Sequence, residues 1–485
     1  MTDGVDLCAA FAAHAARTPG APALLWHDEV TTYGELQARA AQHRAALGAL
    51  PLLPGEAVGI LATKSPDTIA LILACLLARR PFLLPSAALP DDVLAKLFAQ
   101  AGCRHILGGP PGIPELGAPA GADALPIPTD TSFMLTTSGS TGLPKIVPLG
   151  REAVHRFVQW AGETFELRPG VTVLNYAPLN FDLCLLDVWS TLAAGGRVVL
   201  VDPEQAANGR HLLDLLRRHA VDVVQAVPMF YRLVHDASSA EAPVAVRHAM
   251  FTGDVMPEQL LAELPRLLPK ARLYNIYGCT ETNDSFYHEL CPGDGISLGR
   301  PLPGVRALLV DDDGRVVPGA GTGELLVWTP FQAVGYLDRR RYADKFGPHP
   351  AGADDLRYFR TGDIVRRDED GRTFLVGRRD HQVKVRGVAI NTAEVEHTLL
   401  RHPDVVEAAV IAEPDPLTGR RLVAHVRRLA GSRLNSLVLR EHCARRLPHA
   451  AIPSVVRIVG DPLPRTSTGK VDRIALHSGT EGKPQ

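Results

Sequence analysis

The pattern of hydrophobic and polar positions changes at about residue 330 of this 485-residue chain. Before that point, short apolar runs such as Val198-Val199-Leu200-Val201 and Val221-Asp222-Val223-Val224 alternate with stretches of helical period such as Gly209 to His219. Four-residue apolar runs suit strands covered on both faces, and their alternation with helices predicts mostly parallel sheets layered with helices. The longest apolar run, Ile69 to Ala78, has ten residues. That is too short to cross a bilayer, and the preceding Ser65-Pro66 predicts a buried helix starting there. From Leu308 onward the turn signals Asp311-Asp312-Asp313-Gly314 and Asp368-Glu369-Asp370-Gly371 sit between apolar residues, as in hairpins, and predict a β-rich subdomain. From Val383 to Gln485 helix-like and strand-like segments mix, with a helix from Thr392-Ala393-Glu394 and a strand at Ala408 to Ile411. This stretch reads as a small separate α/β domain. The Gly- and Pro-rich stretch Gly108 to Pro128 is the nearest thing to a linker and is expected to cross a surface.

Composition narrows the class. With 46% apolar and 21% charged residues the chain is too hydrophobic to be disordered and long enough for several cores. Its 51 basic against 53 acidic residues give a formal charge of −2, so no electrostatic reason exists to expect a nucleic acid or an anionic membrane as partner. The seven cysteines are odd in number and widely spaced, without Cys-x-x-Cys or zinc-like pairing, which fits a reducing compartment. The opening Met1-Thr2-Asp3-Gly4-Val5-Asp6 is acidic where a secretory signal is basic, so a cytoplasmic location is expected. Only eight of the basic residues are lysines, which makes each lysine worth inspecting.

One such lysine ends Thr136-Thr137-Ser138-Gly139-Ser140-Thr141-Gly142-Leu143-Pro144-Lys145, which follows the strand-like Phe133-Met134-Leu135. Two glycines, five hydroxyls and a cation in ten residues can surround a phosphate with backbone N–H groups, hydroxyl donors and positive charge. The segment is not an ordinary P-loop, because Lys145 follows Pro144 rather than glycine. Near the C-terminus, Pro464-Arg465-Thr466-Ser467-Thr468-Gly469-Lys470-Val471 also imitates a P-loop. There the analogy fails, since Pro464 replaces the leading glycine and Val471 the magnesium-binding hydroxyl. Taken alone, that Gly-Lys pair reads as a solvated turn.

Together the two lysine segments resemble the phosphate loop and C-terminal lysine loop of the adenylate-forming superfamily, which includes acyl-CoA ligases, luciferases and the adenylation domains of nonribosomal peptide synthetases. Further segments resemble that family in the same order: Thr32-Tyr33-Gly34-Glu35-Leu36, Asn275-Ile276-Tyr277-Gly278-Cys279-Thr280-Glu281-Thr282, Gly323-Glu324-Leu325 and Thr361-Gly362-Asp363. Gly377 to Gly387 and Leu463-Pro464-Arg465-Thr466 complete the set, so the match spans roughly residues 31 to 473. Ile146 and Gly387-Val388-Ala389-Ile390-Asn391-Thr392 depart from the family pattern without touching a proposed phosphate contact.

The resemblance implies an α/β fold: residues 1–379 as a large N-terminal domain of helix-covered, mostly parallel sheets plus the β-rich subdomain, and 380–485 as a small mobile C-terminal α/β domain. It implies ATP and Mg2+ as cofactors. Thr137, Ser138, Gly139, Ser140, Thr141, Gly142 and Lys145 would hold the β- and γ-phosphates, and Gly253, Asp254, Asn275, Tyr277 and Gly278 would line the adenine pocket. Asp363 would accept from the ribose hydroxyls, Arg378 would sit near ribose or phosphate, and Glu281, beside Thr280, would ligate magnesium. Lys470 would reach between attacking carboxylate and α-phosphate, and Asp380 matches the hinge about which the C-terminal domain swings.

Substrate class is read at Asn180-Phe181-Asp182-Leu183-Cys184, which resembles the Phe-Asp-x-Ser of amino-acid-activating domains, with Cys184 replacing serine. Their aspartate binds the α-ammonium; the competing reading of Asp182 is a cap on the helix that follows. By position the resemblance places Leu186, Gln225, Met250, Thr252, Ile276, Gly278, Asp284 and Ser285 around the side chain of the substrate. Asp284 is an unusual second acid: a partner for a substrate hydroxyl or amine, a receiver for a β-ammonium, or a solvent-facing residue. No phosphopantetheine attachment sequence is present, so the expected reaction is ATP-dependent activation of an α- or β-amino acid and transfer to a separate carrier protein, as in antibiotic or other natural-product biosynthesis. An acyl- or aryl-CoA ligase is the alternative.

Overall fold

The computed structural model describes residues 4–108, 124–137, 143–238, 244–290, 295–379, 382–385, 388–415, 419–447, 451–465 and 471–478. The expected linker lies largely outside them, as do Ser138 to Gly142, Asp380 and Lys470. The largest sheet has nine strands in the order Arg300–Pro301, Asn283–Leu290, Arg272–Cys279, His248–Phe251, Val223–Ala226, Thr172–Asn175, Arg197–Leu200, Pro22–Trp26, Glu29–Thr32. From Arg272–Cys279 to Pro22–Trp26 every pairing is parallel, and antiparallel pairs close both edges. Short β-branched strands such as Val223–Ala226 are buried at every position because both sheet faces are covered, as parallel sheets require. Val173, Val223, Met250 and Ile276 pack on one side. Leu174, Val224, Ala249 and Phe251 pack on the other, against Leu212, Leu216 and Phe230 of the covering helices.

A second sheet orders Ile106–Leu107, Val58–Ile60, Phe82–Leu83, Thr131–Thr137 and Lys145–Gly150, parallel except for its last pair. The helix Pro66–Leu77 starts where its sequence predicts, with the Ser65 hydroxyl accepting from the Thr68 amide at 3.1 Å. The β-rich part is an antiparallel sheet of Arg306–Val310, Gly321–Trp328, Arg357–Arg367, Phe346–Pro348 and Thr373–Arg378. Asp368 to Gly371 joins two ladder strands, and Asp311 to Gly314 turns a short hairpin about the Val310–Val316 bridge, with Asp311 N donating to Arg315 O at 2.9 Å and Val317 N to Leu309 O at 2.8 Å. The long partner of Arg306–Val310 is Gly321–Trp328.

In the C-terminal part, Val405–Asp415, Gly419–Arg428 and Val455–Val459 form a sheet. Its own core includes Val395 and Leu399 of the helix Thr392–Leu400 and Leu439 of the helix Ser436–Ala444. Among the described residues no helix is long and apolar enough to cross a membrane, and the six described cysteines are unbridged.

The motif at Thr32 is a structural pin. Thr32 and Glu35 form a reciprocal capping box on the helix Tyr33–Ala49, with Glu35 N to Thr32 Oγ1 at 3.2 Å and Thr32 N to Glu35 Oε2 at 2.8 Å. The buried Tyr33 hydroxyl lies 2.7 Å from the Gly196 carbonyl and 3.1 Å from that of Leu192, tying this helix to the large sheet. Tyr33→Phe leaves those carbonyls without their donor and is expected to cost about 1–2 kcal/mol, seen as a lower urea midpoint; an unchanged midpoint would show that the phenol is dispensable.

Candidate active site

Neighbouring parallel strands of the large sheet end at Asn175, Ala226, Phe251 and Cys279. The segments leaving them stand at the end of the sheet where α/β folds bind ligands. Three groupings form around it.

The first surrounds Lys145. Thr137 and Lys145 stand directly opposite each other in an antiparallel pair, and Ser138 to Gly142 between them lie outside the described residues. Lys145 Nζ lies 4.9 Å from the ring centroid of Tyr336 and 5.0 Å from that of Tyr342, a cation–π arrangement. Burial holds its pKa below the usual lysine value, with the charge of Glu281 acting in the opposite sense. Glu281 is buried, and its Oε1 accepts a 2.5 Å hydrogen bond from the Tyr336 hydroxyl. The half-buried Thr280 lies in the same turn, which is tied down by Ala333 N to Glu281 O at 2.9 Å and Thr329 Oγ1 to Thr282 O at 2.6 Å. Glu281 is thus no surface ion pair. Tyr336 and Tyr342, which hold this grouping together, are absent from the sequence reading because their segment carries no motif.

The second grouping centres on Asp363. Its Oδ2 accepts from the Tyr277 hydroxyl at 2.5 Å and its Oδ1 from Arg378 Nη1 at 2.8 Å. Asp363 and Arg378 are register partners on adjacent strands, and Gly362, at φ 75°, makes the turn before the aspartate. Burial and then the Asp363 charge push the Tyr277 phenol well above its usual pKa, so it stays a donor. Beside this grouping, Asn275 Nδ2 donates to the Ser297 carbonyl at 2.7 Å. Gly278 is needed for close approach, since a Cβ there would lie 2.3 Å from the Asn283 carbonyl. Gly253, at φ 80°, turns the chain after the strand His248–Phe251, and Asp254 next to it is exposed.

The third grouping is acidic. Asp182 lies in the turn before a π-helical turn, Leu185–Ser190, whose N-cap is Cys184 with no side-chain cap bond. Ser190 Oγ donates to the Leu185 carbonyl at 2.7 Å and Thr191 Oγ1 to that of Leu186 at 3.2 Å, bonds across the widened turn that fix Leu186 in the core. Asp284 stands opposite Gly278 and is 7% exposed. Burial, and then the charge of Asp182, push its carboxyl up to about 8. It does not face bulk solvent. Gln225, Asn175, Met250 and Tyr274 share one row of the parallel ladders and therefore one face, and Ile276 follows two residues on. Thr252 is buried just beyond that row. The Ser285 hydroxyl is turned into the adjacent turn, 3.1 Å from both Thr282 Oγ1 and the Asn283 carbonyl.

Behind these acids lie two residues that the sequence reading missed. Asp187, 0% exposed, accepts from Asn175 Nδ2 at 3.2 Å, and burial raises its pKa well above the carboxylate range. Lys64, also buried, donates to the carbonyls of Asn175 at 3.1 Å and Tyr176 at 3.2 Å, and burial lowers it to about 8. Lysine scarcity was the signal for one, and a lone acid inside Leu185-Leu186-Asp187-Val188-Trp189 the signal for the other.

Residues 11–126 and 118–337 match the family model of AMP-binding enzymes, and residues 394–470 match that of the AMP-binding enzyme C-terminal domain. The chain belongs to this family of AMP-forming ligases. It is 33% identical over 472 residues to the L-proline--[L-prolyl-carrier protein] ligase of Pseudomonas fluorescens, covering 95% of this chain and 89% of that one. It is 32% identical over 490 residues to one of the linear gramicidin synthase proteins of Brevibacillus parabrevis, covering 96% of this chain but only 9% of that relative. A solved four-domain nonribosomal peptide synthetase, bound to AMP and glycine, matches with a TM-score of 0.83 and 25% identity, over 100% of this chain and 37% of that one.

A buried acid whose folded pKa is raised binds its proton more tightly in the native state, so stability falls as pH climbs from the unfolded carboxyl range toward 8. The loss approaches about 1.4 kcal/mol per pH unit. Asp284→Asn removes this term. In ligand-free thermal denaturation the variant is expected to gain on the parent protein as pH rises from 5 to 8; a constant offset would show that Asp284 does not titrate in that window.

Proposed function

We propose that this chain activates the carboxylate of an α- or β-amino acid with ATP, releasing pyrophosphate, and passes the aminoacyl group to the phosphopantetheine thiol of a separate carrier protein. The observation that carries the reading is the acidic grouping at the strand ends, in which Asp187 and Asp284 are buried and Asp182 is half-buried. Burying a carboxylate without a positive partner is costly, and an amino acid brings that partner as its ammonium, which a fatty acid lacks. Likeness to a proline–carrier protein ligase supports the same substrate class and acceptor.

In the first half-reaction a substrate carboxylate oxygen attacks the α-phosphorus, and the bond to the β-phosphate bridging oxygen breaks with its electron pair leaving on pyrophosphate. Asp182 orients the substrate through its ammonium. Lys145 and the hydroxyl-rich segment from Thr137 neutralise the outer phosphates, and Asp363 and Tyr277 grip the ribose. Lys470 offsets charge developing between carboxylate and α-phosphate. Glu281 would hold Mg2+; the residues fit, because this ion favours one or two carboxylates together with substrate phosphates over an all-protein cage. Among the described residues no group of three His, Cys, Asp or Glu side chains could form such a cage. When bound, the ion screens phosphate charge. In the second half-reaction the carrier thiol attacks the acyl carbon, its proton passes to solvent and AMP departs. A swing of residues 380–485 about Asp380 would withdraw Lys470 and admit the thiol.

Amino-acid-dependent pyrophosphate exchange tests this reading, and exchange driven only by aliphatic or aromatic acids would defeat it. Asp182→Ala is expected to lower kcat/KM for the amino acid by roughly 100-fold while leaving nucleotide affinity unchanged; equal loss of both would remove its ammonium role. Lys470→Ala should cut adenylate formation by roughly 100- to 1000-fold yet spare thiolation from preformed adenylate. A parallel fall in both half-reactions would contradict the two-pose mechanism.

A further inference from the structure

We propose that the substrate is an amino acid carrying a second positively charged nitrogen on a short side chain, of the 2,3-diaminopropionate or 2,4-diaminobutyrate class, with Asp182 receiving the α-ammonium and Asp284 the side-chain ammonium. The inference rests on the amino-acid reading above and deepens it by giving the second acid its own partner.

The two aspartates come from separate elements, the turn before the π-helical turn and the strand Asn283–Leu290, yet lie close enough for the charge of one to act on the other. Among the described residues no donor or cation meets the Asp284 carboxylate, although it is buried. An independent observation points the same way. Gln225 Oε1, 1% exposed and on the sheet face that looks toward the π-helical turn, has no hydrogen-bond partner, and neither does Asp187 Oδ1. Gln225 Oε1 is an acceptor left without a donor.

Three donors beside them are already engaged. Lys64 is used on two backbone carbonyls, Asn175 Nδ2 on Asp187 and Cys184, and the Ser285 hydroxyl on its own turn. Buried oxygens left without donors are complementary to a ligand that brings donors. One ammonium supplies one positive charge, which Asp182 takes, and a ring or alkyl side chain would then leave Asp284 buried against carbon. A second ammonium satisfies it. The side chain is short because Asp182 and Asp284 lie close enough to influence each other, so the two nitrogens they receive must also be close.

Pyrophosphate exchange by the full chain, run with L-2,3-diaminopropionate, L-2,4-diaminobutyrate, L-2-aminobutyrate, L-proline, β-alanine, octanoate and benzoate, decides the matter. A short diamino acid is expected to exceed L-2-aminobutyrate, its uncharged counterpart, by roughly 100-fold in kcat/KM, and Asp284→Asn should collapse that ratio to within about fivefold. Should L-proline, β-alanine or L-2-aminobutyrate lead the panel, the second-nitrogen assignment falls while the amino-acid reading stands. Leadership by octanoate or benzoate overturns both. If Asp284→Asn fails to fold, the substrate panel with the unaltered protein is decisive alone.

Discussion

Removing carboxylates from water at the carboxyl ends of a parallel sheet is the constraint around which this molecule is arranged. Asp182, Asp187 and Asp284 crowd one side of the site, and each pushes on a neighbour's titration. Lys64 supplies positive charge behind them, and burial has weakened its own hold on a proton. Such a cluster is tolerable because it is small beside the two apolar cores on either side of the large sheet. Active sites commonly give up stability in this way. What this side of the site lacks in positive charge is what an incoming ligand can bring.

The opposite side of the site handles charge differently. There Asp363 and Glu281 each sit against a tyrosine hydroxyl, Tyr277 and Tyr336 respectively. Both phenols are held far above their usual pKa, so they act as fixed donors through the physiological range. Each tyrosine also joins parts of the fold: Tyr277 ends a strand of the large sheet while Asp363 belongs to the antiparallel one, and Tyr336 links the turn at Glu281 to Lys145 through its ring. A positive group, Lys145 or Arg378, completes each arrangement. The two groupings are therefore held in place by donors that come from separate parts of the fold.

The strand and helix pattern was legible because it depends on local periodicity and caps. Ser65-Pro66 opened the predicted helix, Asp368 to Gly371 made the predicted turn, and Thr392 began the predicted C-terminal helix. Asp311 to Gly314 also turned a short hairpin, held at the Val310–Val316 bridge. Motif order along the chain likewise marked Lys145, Glu281, Asp363 and Arg378, and the fold gathers them into two groupings. Lys64, Asp187, Tyr336 and Tyr342 carry no motif. Their importance comes from burial and from neighbours distant in sequence.

The sequence by itself determined the family, the parallel architecture and the residue types available for chemistry, since these follow from local pattern and from ordered short segments. Only the tertiary structure decided that Asp284 is buried within reach of Asp182 rather than in solvent, and that Gln225 and Asp187 present unpaired oxygens there. The physical reason is that desolvation and charge–charge coupling depend on distance through space. A linear order of residues does not contain that distance until strands from opposite ends of the chain are laid side by side.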